Sequence, residues 1–502
     1  MIAQKKNQVI AEGQSEDEKE DKKVESLSHC VRSLERERLC DYFHLVMKPL
    51  EHPMLFSKED LRHIYYPLLM ETLLSVTVGI ADTMMVAQAG EASVSGVSCF
   101  NTIQNFLIAL FSAFGTGGSV IVSQLLGMDN DERARFASKE LLYLALGVAL
   151  VVGGVFFAFR EQILRLIYGT VEEDVFRAAL DYSLPIILSL PFMALTSSLT
   201  AVFRAQGKTQ STFVVSTIGN IVNIIGNAVC LFAFNMGAFG VGLSTLFSRI
   251  VMAAIFLVLI HSHKLRVYID SLLRFEFNLS MAKTIFSIAL PSGAESSIFQ
   301  LGKIVTISTI AACGTASTAS FAFLDNMGTF ANITGTATGL ALMVCGGRSC
   351  GAGRFDETRW YTKYFMRTAY LSIAATSLVV MSLLPVIIKI YSYSAETSSL
   401  ALLVTYENLI IQMLIWPLSF TLPQALKSAG DVTFTMITAV SSMWIFRVAS
   451  ARILGLNLGF GLRGVMWGMY IDWAVRSVLF ILRYRSGKWT QKVIRKEKVA
   501  LK

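Results

Sequence analysis

Asp82 is the residue with the most to explain. It sits mid-way along the apolar run SVTVGIADTMMVAQAG, 15 residues past Pro67, or about 22 Å along a helix. An ionisable side chain inside a membrane span costs about 2.5–3.5 kcal/mol on insertion scales, so its retention needs a reason. A carboxylate held in low dielectric can take a proton or hold Na⁺. It can also be a structural acceptor for a neighbouring helix. Glu295 stands one turn past Pro291 in ALPSGAESSIF. The proline frees a backbone carbonyl and bends the helix. Glu295 could bind a coupling cation, neutralise a cationic substrate, or brace the bend. Glu71 holds the same place after Pro67 and reads as structural. Lys303 lies two turns beyond Glu295, with Asp325 in the next apolar run as its expected partner; left unpaired, Asp325 would join a cleft. Asp472 and Arg476, at i and i+4, can pair as a brace. His261 and His263 have no third ligand nearby, so no metal site is expected. No P-loop, dinucleotide fingerprint or HExxH occurs, which argues against an ATP-driven pump and an intramembrane zinc protease.

The elements that position these residues must be membrane helices. The chain has 502 residues, 53% hydrophobic and only 16% charged, whereas a soluble protein carries about a quarter of its residues as charges. Residues 92–128 and 209–248 contain no Asp, Glu, Lys or Arg, and about 20 apolar residues suffice to cross the hydrocarbon. Lipid offers backbone groups no partner, so helices are the default, and the runs lack the alternation of a β-barrel. The net charge of +8 does not point to nucleic acid, because the basic residues cluster in short loops and the C-terminal tail. The seven cysteines are scattered without CxxC spacing and read as small buried hydrophobes. Ser15–Lys23 is almost all charge and follows no signal-peptide pattern.

The chain repeats itself. Pro67 and Glu71 recur as Pro291 and Glu295, Gly127 as Gly351, and Gly240–Val241 as Gly464–Val465, each 224 positions on; Gly207 recurs as Gly430 at 223. Each half holds about six spans. An even number returns the chain to its starting side, so the halves are parallel repeats. The expected architecture is an all-α polytopic membrane protein of about 12 transmembrane helices in two parallel six-helix repeats. The spans fall at about 62–88, 95–125, 139–160, 177–202, 210–234, 239–261, 284–311, 317–346, 364–387, 400–426, 432–455 and 462–483. The organisation is a charged extension (1–56), an N-terminal lobe (57–262), a linker (263–283), a C-terminal lobe (284–485) and a basic tail (486–502). Placing both termini in the cytoplasm puts most loop Lys and Arg inside.

These landmarks, the pattern from Pro67 to Asp82–Thr83, the loop SQLLGMDNDERA, FRAQGKTQSTF…NIVNII and GLRGVMWGMYIDWAVRSVLF resemble the multidrug and toxic compound extrusion (MATE) family over about residues 57–490. The resemblance implies two six-helix lobes around a central cleft in a bacterial inner membrane. It implies export of small, cationic, amphipathic compounds in exchange for H⁺ or Na⁺, with no cofactor. Where the family often has Asn-x-x-x-Asp in the fifth span, this chain has Asn223 and Asn227. The second acid is an amide, which cannot titrate. Both amides share a helix face, so Asp82, Asn223 and Asn227 form the expected coupling cluster, with Glu295 and Asp325 as substrate or cation groups in the second lobe. Phe299, Gln300, Phe321, Phe323 and Met327 are cleft-lining candidates by position. The expected partners are a small-molecule substrate and the bilayer, not nucleic acid, with the chain acting as a monomer. A flippase for lipid-linked saccharide or lipid shares the architecture but would want a strongly basic cleft. An enzyme or receptor would want a catalytic constellation or a ligand domain, and neither is visible.

Overall fold

The computed structural model describes residues 53–88, 90–168, 171–270 and 276–494. The expected extension up to residue 52, part of the linker and the end of the basic tail lie outside them. Among the described residues there is no strand. The first half runs α1 (Lys58–Ala87), α2 (Glu91–Gly127), α3 (Asp131–Tyr168), α4 (Glu173–Leu188 and Leu190–Ala205), α5 (Thr209–Ala228, continued by a π-helical turn, Val229–Ala233) and α6 (Gly237–Ile260). The second runs α7 (Leu279–Ala312), α8 (Thr315–Gly351), α9 (Phe355–Ile390), α10 (Ala395–Ser428), α11 (Val432–Asn457) and α12 (Gly461–Arg485). These are twelve spans in two parallel repeats of six. Ten are individually long and apolar enough to cross a membrane, and α4 joins them as one span bent by 50°. The bend lies at Ser189, between Pro185 and Pro191, where proline removes backbone donors. α7 is 34 residues long but carries Lys283, Glu295 and Lys303, which dilute its hydropathy.

Local signals set the helix starts. Ser57 caps α1 through a reciprocal box: its hydroxyl accepts from Asp60 N–H at 3.1 Å, and Asp60 accepts from Ser57 N–H at 2.8 Å. Asn278 caps α7 by accepting from Ser280 and Met281 N–H. The outer faces are apolar, with Leu166, Val151, Val258 and Ile390 all widely exposed. That pattern suits lipid, in which an apolar surface carries no penalty.

The lobes meet through the first two helices of each half. α2 packs on α7 and α8, and α8 packs on α1. The contact is reciprocal at one end. A Cβ on Gly127 would lie 2.1 Å from the Arg348 carbonyl oxygen, and one on Gly351 would lie 2.0 Å from the Gln124 carbonyl oxygen. Arg348 is the repeat-mate of Gln124, so each glycine admits the backbone of the other half. This explains one pair of sequence landmarks. The pair Gly207 and Gly430 has another cause, a left-handed backbone with φ of 76° and 88°.

Further contacts close the same end. Gln124 donates to Ser428 O at 2.7 Å and accepts from Ile494 N–H at 3.0 Å, so the segment after α12 crosses back to the first lobe. Trp489 anchors that segment, buried and stacked on Tyr484. The segment before α1 crosses the other way: Leu55 N–H donates to Glu357 and Phe56 N–H to the Tyr361 hydroxyl, both at 3.0 Å. In Gly351→Val the added carbons meet backbone that cannot give way. Overpacking of this kind costs about 1–3 kcal/mol, so the detergent-solubilised variant should melt several degrees lower. An unchanged melting temperature would show that the two helices do not touch there.

Candidate functional site

α1, α5 and α6 bring together the predicted cluster. Asn227 Nδ2 donates to Asp82 Oδ1 at 2.8 Å. The amide orientation of Asn223 that satisfies both its ends puts its nitrogen 3.0 and 3.2 Å from the Asp82 oxygens and its oxygen 3.2 Å from Ser244 Oγ. Ser244 Oγ also lies 2.5 Å from Asn227 Oδ1, so its single proton is shared between the two amide oxygens. Asn223 and Asn227 are one turn apart on the buried face of α5, so both reach one carboxylate. The sequence reading missed Ser244, because a serine in an apolar helix carries no signal of its own.

Glu71, Glu295, Asp325, Glu407 and Asp472 all have basic partners. Glu71 pairs with Arg204 at 3.0 Å and accepts from Thr212 Oγ1 at 3.1 Å. Glu295 pairs with Lys427 at 2.9 Å and accepts from Thr435 Oγ1 at 3.5 Å. Arg204 and Thr212 recur 223 positions later as Lys427 and Thr435, so these are the same three-residue brace built twice. Each ties its proline-containing helix to the two spans that flank the left-handed glycine. Asp325 pairs with Lys303 at 3.1 Å, with both side chains over a third exposed. Glu407 pairs with Arg463. Asp82 has no ion-pair partner among the described residues. Nor has Glu140, near the loop end of α3, but it accepts the Asn278 amide at 3.1 Å and so pins the start of α7.

Asp472 pairs with Arg476, as the spacing suggested, and also with Arg447. Arg476 Nη2 lies 3.0 Å from both carboxylate oxygens, Arg447 Nε donates at 3.1 Å, and Ser442 Oγ donates at 2.5 Å. The cluster is buried. Arg447 was legible as a lone cation in the apolar run SSMWIFRVAS and was overlooked. It stands 224 positions after Asn223, the repeat-mate of an Asp82 partner.

Two cavities adjoin this cluster. One, of about 360 Å³, lies between α2, α7, α10, α11 and α12; Glu295, Phe299, Gln300, Phe420, Lys427 and Arg476 are on its walls. The second, of about 220 Å³, is lined by Lys303, Phe321, Asp325 and Arg447, and again by Phe299 and Phe420. Phe299 and Gln300 stand on the wall of the first cavity and Phe321 on that of the second. Phe323 and Met327 do not. They are buried in a core of α8, α9 and α10, and Phe323 stands edge-on to Tyr391 with ring centroids 5.1 Å apart. Both are apolar residues on the face of α8 turned toward its own lobe. The second cavity also exposes a polar ladder outside the sequence reading: Asn408 donates to Gln412, and Gln412 donates to Gly328 O.

The MatE family model matches residues 67–229 and again 291–453, the two matches starting 224 positions apart. The chain belongs to the MATE family. Along the chain it is similar to the uncharacterized transporter YisQ of Bacillus subtilis, 28% identical over 85% of this chain and 94% of that one. It is also 23% identical to the probable multidrug resistance protein YoeA of the same organism, over 89% and 99%. In structure it resembles an outward-facing multidrug resistance MATE transporter with a TM-score of 0.81, covering 88% of this chain and all of that one at 17% identity. It is a multi-pass membrane transporter.

The paired braces predict that Glu295→Gln, by stranding Lys427, destabilises the protein by about 3 kcal/mol, the low end for removing one partner of a buried pair. Glu295→Lys combined with Lys427→Glu should restore much of the melting temperature. If the single variant melts like the parent, Glu295 is not a brace.

Proposed function

We propose that this MATE transporter exports small organic compounds in exchange for H⁺ or Na⁺, with Asp82 as the coupling group. The observation that carries this is the environment of Asp82. Glu71, Glu295, Asp325, Glu407 and Asp472 each have a basic partner, and Asp82 has amides instead. Amide donors stabilise a carboxylate without neutralising it. A proton or a sodium ion can therefore supply the missing positive charge and leave again, which a fixed lysine cannot.

The proposed cycle is alternating access about the lobe interface. The end closed by the Gly127 and Gly351 contact carries Arg133, Arg135 and Arg348 at its helix ends and Lys264, Arg266 and Arg354 in its loops. The positive-inside rule assigns that end to the cytoplasm, with both chain termini. The bacterial relatives support an inner-membrane location. Cation and substrate then oppose each other through one conformational equilibrium. A potential of 100 mV supplies about 2.3 kcal/mol per charge moved, enough for about 50-fold accumulation.

Glu295 and Asp325 remain candidates for contact with cargo, because they line the cavities while paired. Asp82→Asn should abolish dye efflux from right-side-out vesicles energised with either an inward proton or an inward sodium gradient, while the protein still inserts and folds. Efflux at the parental rate would remove Asp82 from coupling. Asn227→Asp sets a second carboxylate within hydrogen-bonding reach of the first. Two such groups share a proton, so efflux by this variant should depend more steeply on pH than the parent; an unaltered profile would place the two side chains apart.

A further inference from the structure

The charges around the two cavities are unequal. Lys303, Lys427, Arg447 and Arg476 line them, against Glu295 and Asp325, with Asp472 bonded directly behind the two arginines. Four cations face three anions. The lysines are matched one to one with acids, so the excess lies in the Arg447–Asp472–Arg476 cluster, where two guanidinium groups share one carboxylate. An uncompensated charge in low dielectric is costly. It is tolerated where a counter-ion can arrive.

The aromatic walls point the same way. The Arg447 and Arg476 guanidinium carbons lie 5.3 and 5.7 Å from the Phe299 ring centroid, and Arg476 lies 5.3 Å from that of Phe420. These rings line both cavities. Ring faces that would attract a cationic compound are already covered by the protein's own cations. Among the buried donors that lack a hydrogen-bond partner among the described residues are Arg476 Nε and Ser419 Oγ on the wall of the first cavity and Trp473 Nε1 on that of the second. The repeat sharpens the contrast. Where the first half places Asn223 beside an unpaired aspartate, the second places Arg447. The halves are chemically opposite at related positions.

We propose that the Arg447–Asp472–Arg476 cluster is an anion-recognition site. It takes the carboxylate, sulfonate or phosphate of a flat amphipathic acid or zwitterion, whose apolar body occupies the cavity beside Phe299 and Phe420. This rests on the export reading for its physiological role, but the site itself is a matter of binding. Arginine suits it, since its planar fork matches such groups in two-point contacts.

The test is calorimetry on the purified protein in neutral detergent, with no gradient, using naphthalene-2-sulfonate and the matched cation 2-naphthyltrimethylammonium. The sulfonate should bind about tenfold or more tightly than the cation, as loss of one charge-assisted contact implies. Arg476→Gln should weaken the sulfonate about tenfold, and Arg476→Lys, which keeps the charge but loses the fork, should recover only part of that loss. Binding by Arg476→Gln is read with no gradient and efflux by Asp82→Asn only with one, so loss of this site and loss of coupling are read separately. Tighter or equal binding of the cation by the unmodified protein would overturn the proposal, whatever the variants do. So would an Arg476→Gln protein with parental melting temperature and parental affinity. Binding of phosphatidylglycerol with no binding of the sulfonate would overturn the substrate assignment in favour of a lipid headgroup.

Discussion

A charge inside a bilayer must be neutralised or made to do something, and this constraint orders the structure. The protein meets it by pairing: Glu71 with Arg204, Glu295 with Lys427, Asp325 with Lys303, Asp472 with two arginines. Each pair also ties together spans that would otherwise meet only through apolar contact. In lipid the hydrophobic effect does not drive helices together, so packing and polar bonds carry that work. Asp82 departs from the pattern, and its neighbours Asn223, Asn227 and Ser244 show why it can. The two amides donate to the carboxylate, and Ser244 holds them there, while the charge stays in place.

Duplication gave both halves the same frame, and substitution made them differ. The Glu–base–Thr brace survives in both, because it holds the proline-containing helix against its neighbours. The polar cluster does not survive. At positions related by 224 residues, Asn223 became Arg447 or the reverse, and the first half is left short of positive charge while the second has it in excess. The proposed exchange of a cation for an organic compound would need two sites of unlike chemistry. Two lobes that share a fold provide them without a new architecture.

The closed end shows how small residues decide a conformational state. Gly127 and Gly351 each admit a backbone carbonyl of the other half at a distance no Cβ would allow. The segments before α1 and after α12 then strap across in opposite directions. Apolar contact accompanies these polar ones: Phe114 meets Phe286 edge-on, and Ile285, Ile288, Ala289 and Met343 of the second half share a buried cluster with α2 of the first. Interfaces of this kind can switch between two arrangements without unfolding either lobe.

What the sequence determined by itself follows from one-dimensional physics. Span number, helical class and repeat can be read from hydropathy, from the absence of charge over long runs and from recurring glycines and prolines, since each depends on local composition or spacing. Asp82 could be singled out because its cost is local too. Which charges are paired depends on helices far apart in the chain, and only tertiary structure decided that Glu295 faces Lys427, or that Arg447 joins Asp472 and Arg476. It also decided which face of α8 turns inward. That is why Phe321 lines a cavity while Phe323 and Met327, in the same helix, are buried in the core.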